Sequence, residues 1–179
     1  MSGIFICYRR TDSAPWAGRV YDSLVRDWGE DHVFMDVDTI APGEDFRAVI
    51  AETVANSDVV LVVIGPDWVT AADPDGGRRL DDEGDIHRTE VVSALRSSVR
   101  VIPVLVGGAH MPKVADLPEG LKDLAFRNAV VLEDRRFGSD VRALHKALVR
   151  FAEEQASKVA VGAETPVPAA AGPATPAPV

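Results

Sequence analysis

VVLVVI, residues 59–64, and VIPVLV, residues 101–106, are apolar almost without interruption. Successive side chains of a strand face opposite ways, so a run with no polar face belongs to a strand covered on both sides. Such strands sit inside a parallel sheet. Working outward, three more short runs rich in β-branched or aromatic residues appear at Ile4–Tyr8, residues 32–35 and residues 129–132. The segments between them carry apolar residues at helical spacing. Residues 16–28 present Val20, Tyr21, Leu24 and Val25; residues 44–56 present Phe46, Val49, Ile50 and Val54; residues 86–97 form a third helix. Residues 118–125 read as a short fourth helix, and residues 140–156, with Val141, Leu144, Leu148 and Phe151, as a fifth. Strict alternation of strand and helix defines a three-layer α/β domain, a five-stranded parallel sheet flanked by helices.

The 179 residues, 46% apolar and 26% charged, have room for one well-formed core. That core is expected in residues 1–156. Residues 157–179 hold five of the twelve prolines among Ala, Val and Gly, and are expected to be a disordered, partly polyproline-like tail or linker. A net charge of -9 leaves no broad positive field, which argues against nucleic acid or an anionic membrane as partner. No basic leader precedes the first apolar run, and no stretch approaches the roughly 20 apolar residues that span a bilayer, so a cytoplasmic location is expected. Cys7 is the only cysteine; it reads as an inert packed strand residue, with neither a disulfide nor a cysteine-based metal site available. The histidines at 32, 87, 110 and 145 show no ligand spacing, so no metal and no resident cofactor are expected.

In open α/β sheets ligands bind beyond the carboxyl ends of the strands, where strand order reverses. The polar clusters Tyr8-Arg9-Arg10-Thr11-Asp12, residues 36–44 and Gly65-Pro66-Asp67-Trp68 all fall on that rim. Neither GxGxxG after the first strand nor GxxxxGK[ST] is present, which excludes the common dinucleotide and P-loop devices. The acidic pair of a phosphoacceptor receiver is also missing. In the helix at 86–97, with Asp85 as a plausible N-cap, Ile86, Val91, Ala94 and Leu95 share one half of the helical wheel, and Glu90 falls among them. Burying a carboxylate without compensation costs several kcal/mol, far more than the few tenths that separate ordinary helix propensities. Either Glu90 is functional, or the arc has a wet edge at which it pairs with Arg9, Arg10 or Arg88.

FICYRRTDS, VFMDVDTIAPGEDF, SDVVLVVIGPDW and DIHRTEVVSAL followed by VIPVLVGG, taken in order from residue 3 to about 152, resemble the Toll/interleukin-1 receptor (TIR) domain in its bacterial form. The resemblance implies a flavodoxin-like fold. It also implies that residues 36–45, with Asp36, Asp38, Ile40, Pro42 and Gly43, form the BB loop through which TIR domains contact one another. Many members hydrolyse NAD to nicotinamide and ADP-ribose or a cyclic relative, using a glutamate in a WxxxE pattern. Glu90 matches that glutamate, and Ile86 stands where the tryptophan would be.

These matches make NAD the implied substrate, Glu90 the implied catalytic residue, and Tyr8, Arg9, Arg10, Asp38, Gly43, Phe46, Trp68 and Ile86 candidate substrate contacts. Arg9 and Arg10 suit a pyrophosphate, although salt bridges to Asp36, Asp38 or Asp12 explain them equally well. Phe46 and Trp68 either stack on a ring of the ligand or anchor the core. Pro42 and Gly43 shape a turn whichever function holds. Residues 73–85, DPDGGRRLDDEGD, read as a mobile lid or a merely solvated loop. Two functions follow: an NAD glycohydrolase activated by self-association, or a non-catalytic signalling module that binds other TIR domains.

Overall fold

The computed structural model of the chain describes residues 3–35 and 43–163. Its five strands are β1 (Ile4–Tyr8), β2 (Val33–Met35), β3 (Val59–Ile64), β4 (Arg100–Val106) and β5 (Val130–Leu132). All pair in parallel, in the order β2-β1-β3-β4-β5, which is the flavodoxin-like arrangement. Every residue of β3 is buried, as an uninterrupted apolar run requires. Four α-helices cover the sheet: α1 (Arg10–Trp28), α2 (Phe46–Ala55), α3 (Ile86–Arg96) and α4 (Phe137–Ala163).

Strand alternation sorts the core into two layers. Ile4 and Ile6 of β1, with Val59, Leu61 and Val63 of β3, pack under α1 and α4 against Ala17, Val20, Leu24, Leu144, Leu148 and Phe151. Phe5 and Cys7, with Val60, Val62 and Ile64, face α2 and α3 and meet Ile50, Val54, Val91 and Ala94. Cys7 therefore points at the helix that carries Glu90. No helix of the described residues is long and apolar enough to cross a membrane.

Three element boundaries differ from the sequence expectation. Helix α1 starts at Arg10, well before residue 16, with Pro15 inside it; a proline reads in sequence as a helix start because it has no N–H to donate, and here the helix begins one turn and more before it. The segment at 118–125 is a 3-10 helix, Glu119–Phe126, whose Leu121 and Leu124 are both buried, the three-residue spacing that this tighter helix places on one side. Helix α4 spans Phe137–Ala163 and so runs past residue 156, where the core-facing pattern stops. The expectations for Asp36, Asp38, Ile40 and Pro42, and for residues 164–179, lie outside the described residues.

Candidate active site

In this strand order the chain leaves β1 toward one edge and later leaves β3 toward the other, so the crevice lies beyond Tyr8 and Ile64. A carboxylate latch closes it. Asp85 caps α3 by accepting from the Arg88 N–H at 2.9 Å. It also receives both arms of Arg9, Nη1 to Oδ2 and Nη2 to Oδ1, each at 3.1 Å, and the Nε–H of Arg79 at 2.8 Å. The Arg9 and Asp85 side chains are only 2% and 1% exposed. Burial pushes the Asp85 carboxyl upward, but the Arg9 hydrogen bond, the Arg88 N–H and the charges of Arg9 and Arg79 outweigh it and hold the group below its ordinary value. The latch ties the start of α3 to the end of β1.

One turn into α3, His87 and Glu90 therefore face Cys7. Glu90 is 5% exposed. The Cys7 thiol donates to Glu90 Oε2 at 2.9 Å. Burial, then the charge of Glu90 and this hydrogen bond, push the thiol well above its ordinary range, against the smaller opposing charge of Arg9. Cys7 is a hydrogen-bond donor rather than a nucleophile. His87 Nδ1 lies 3.2 Å from Cys7 Sγ and 3.7 Å from Glu90 Oε2. Its Nε2 accepts from the Trp68 indole N–H at 2.6 Å, the two rings meeting edge to face at 81°.

Ligand atoms of Cys7, His87 and Glu90 lie within 4.8 Å of one another, a donor set that suits a thiophilic divalent ion. The hydrogen bonding opposes that use. Trp68 can only donate, so it takes the Nε2 lone pair and leaves the ring hydrogen of a neutral His87 on Nδ1, the nitrogen an ion would need. The thiol proton is held by burial as well.

Beside Glu90 opens a cavity of about 260 Å³ lined by Tyr8, Arg9, Arg10, Arg79, Ile86, His87 and Glu90. A larger hollow, about 850 Å³, lies between the end of α1 and α4, where Asp27 is paired with His145 at 2.6 Å; it is remote from the switch point of the sheet.

Of the residues singled out in the sequence, Tyr8, Arg9, Arg10, Ile86 and Glu90 converge on the cavity. Trp68 does not: it is fully buried and reaches the site only through His87, because the chain after β3 turns its indole into the α3-facing core. Phe46 packs, half-buried, on that same face with the Arg47 guanidinium 5.6 Å from its ring, and does not line the cavity. Gly43 stands in an exposed turn at φ +95, a conformation that favours glycine. Of the wet-edge alternative, the structure answers the exposure and two of the three partners: Glu90 is buried, Arg9 is committed to Asp85, and Arg88 approaches Glu83 at 3.6 Å, while Arg10 lines the cavity beside Glu90. Residues 73–85 are fastened down rather than lid-like, with Leu80 fully buried and Arg78 donating to the Asp116 carbonyl at 2.7 Å. The sequence reading missed Cys7, His87 and Arg79. For His87 a signal existed, since it lies three residues before Glu90 and so on the same helical face.

Fold and site together define a flavodoxin-like α/β domain with a buried carboxylate at its switch point. A TIR domain family model matches residues 4–144, and the chain belongs to that family. Among solved structures it is similar to the TIR domains of the activated Roq1 resistosome directly recognizing the pathogen effector XopQ (TM-score 0.59, 13% identity, 83% of this chain and 99% of that one). It is also similar to the TIR domain of the Toll-related receptor TRR-2 from Hydra magnipapillata (TM-score 0.50, 20% identity, 84% and 97%). A third similar structure is a TIR-STING receptor from C. gigas in complex with 2',3'-cGAMP (TM-score 0.50, 24% identity), of which the match spans 38% and of this chain 78%. At these identities the likeness is one of fold. No curated protein matches the chain in sequence.

Proposed function

We propose that this TIR domain is an NAD glycohydrolase in which Glu90 is the catalytic carboxylate. The observation that carries the reading is the setting of Glu90: buried, fixed by a thiol hydrogen bond, and open to a cavity beside the double-arginine turn. NAD suits a single carboxylate. Its nicotinamide is a cationic pyridinium that departs as a neutral molecule, so the leaving group needs no general acid, unlike the sugar oxygens of ordinary glycosides. What remains is to steady the positive charge that develops on the ribose anomeric carbon, and a preorganised anion in a dry site does this electrostatically. Water then attacks that carbon to give ADP-ribose, or a hydroxyl or ring nitrogen of the same molecule attacks to give a cyclic product.

The cavity, about 260 Å³, is below the roughly 300–1,000 Å³ of typical small-molecule sites. It takes the nicotinamide and its ribose, and the pyrophosphate and adenosine lie outward, past Arg10 and Arg79. A second copy that brings its BB loop to this rim would cover them, so activity depends on self-association. The similar Roq1 TIR domains belong to an assembly, which fits this view. The test is to incubate concentrated protein with NAD and quantify nicotinamide: release is expected from the wild type and not from Glu90→Ala, and release that persists unchanged in the variant would overturn the assignment.

The exposure of Ile86, 46%, at the position of the pattern's tryptophan favours a second reading, a scaffold that binds other TIR domains without chemistry. That reading requires partner binding to survive Glu90→Ala and to be lost on altering Pro42 or Gly43.

A further inference from the structure

We propose that Trp68 locks the tautomer of His87, so that Glu90 is kept beside a neutral imidazole whose single N–H points toward the Cys7–Glu90 pair. The inference rests on the reading of Glu90 as the catalytic carboxylate, and it gives work to two residues which that chemistry does not itself use. Hydrogen bonds run one way through the four groups. The indole N–H, which can only donate, meets His87 Nε2 at 2.6 Å, so a neutral ring carries its hydrogen on Nδ1. Nδ1 lies 3.2 Å from Cys7 Sγ, and the thiol in turn donates to Glu90 Oε2 at 2.9 Å. All four side chains are buried, and Trp68 completely.

Direction matters because of what a second proton on His87 would do. An imidazolium 3.7 Å from Glu90 would offset the negative charge that the oxocarbenium-like state needs. That proton has to be placed on Nε2, against the indole N–H and with no room for both hydrogens in a 2.6 Å gap. The other titratable or charged groups around His87 are Cys7, Tyr8 and Arg9 at the end of β1, Arg10 at the start of α1, and Arg79 and Asp85 from the segment before α3. Arg9 is balanced by Asp85, so Glu90 is the group that would draw a proton onto the ring. Trp68 prevents it. Trp68 is thus a positioning residue, acting through His87 and touching no substrate.

Long-range proton–nitrogen NMR on the wild-type protein reads the tautomer directly and needs no turnover. The expected spectrum at neutral pH has a protonated Nδ1 and a bare Nε2; hydrogen on Nε2, alone or together with Nδ1, would overturn the proposal. In turnover, Trp68→Phe frees Nε2, and on mild acidification its NAD cleavage is expected to fall about tenfold further than that of the wild type. Adding His87→Asn, whose amide keeps an N–H toward Cys7 but cannot titrate, is expected to remove that acid limb. A limb that survives in the double variant refutes the lock. If the wild type cleaves no NAD, the function proposed for Glu90 fails while the spectrum still decides the tautomer.

Discussion

Asp85 gathers Arg9, Arg79 and the Arg88 N–H of α3 onto one carboxylate, and its pair with Arg9 lies almost entirely away from solvent. Removing one charge of a buried pair strands the other, at a cost of about 3–5 kcal/mol. Asp85→Asn is therefore expected to lower unfolding free energy by that amount in urea titration at neutral pH. The pH dependence has a definite sign. Because the folded state holds this carboxyl below its ordinary 3.8, its contribution is complete above that value and is lost as pH falls through the lower folded value. Acid unfolding monitored below about pH 4 should show that decline in the wild type and less of it in Asp85→Asn. Gly65 gives a second residue-scale prediction. A Cβ there would stand 2.5 Å from both oxygens of Asp12, which accept from the Gly65 and Asp67 N–H groups at 2.9 Å. Gly65→Ala displaces that carboxylate, and thermal denaturation should show a loss of about 1–3 kcal/mol. Glu90 was legible in the sequence because a charge inside an apolar arc is anomalous whatever the fold. Its donor was not, since Cys7 lies 83 positions away and reads as one more apolar residue of β1.

Among the elements, the segment between β3 and α3 decides how firmly the site is held. Its string of Asp, Gly and Arg residues looks solvated in sequence, yet Leu80 within it is fully buried against the α2 and α3 face, and Arg79 reaches the Asp85 latch. A single leucine has no periodicity, so no pattern could announce it. Leu80→Ala is expected to cost about 2–5 kcal/mol and to raise hydrogen exchange across residues 73–85 before it does so in β3. Unchanged exchange there would mean that the segment is held by its Arg–Asp contacts alone. The strands themselves were readable, because β3 and β4 are apolar on both faces as only central parallel strands are. Helix ends were less so: Pro15 disguised the start of α1, and the amphipathic pattern of α4 ends before its hydrogen bonding does.

For the whole molecule, the flavodoxin-like order places the ends of β1 and β3 side by side, and that juxtaposition brings residues 8–10 and 79–90, two distant parts of the chain, into one cavity. Alternation of strand and helix was enough to infer the layers, while the strand order and the family came from the resemblance and the matched model. The small size of the cavity makes association part of the proposed function. Nicotinamide release per molecule should therefore rise with protein concentration and approach a plateau; a flat dependence would mean that one copy suffices. The most direct measurement is the rate of NAD cleavage by Glu90→Gln, which keeps the shape of the side chain and removes its charge, in a variant shown by calorimetry to be folded. A fall of about 10²–10³-fold is expected, the size of effect seen when one preorganised electrostatic stabiliser is lost. A folded Glu90→Gln protein that releases nicotinamide at the wild-type rate would contradict the catalytic role of this carboxylate.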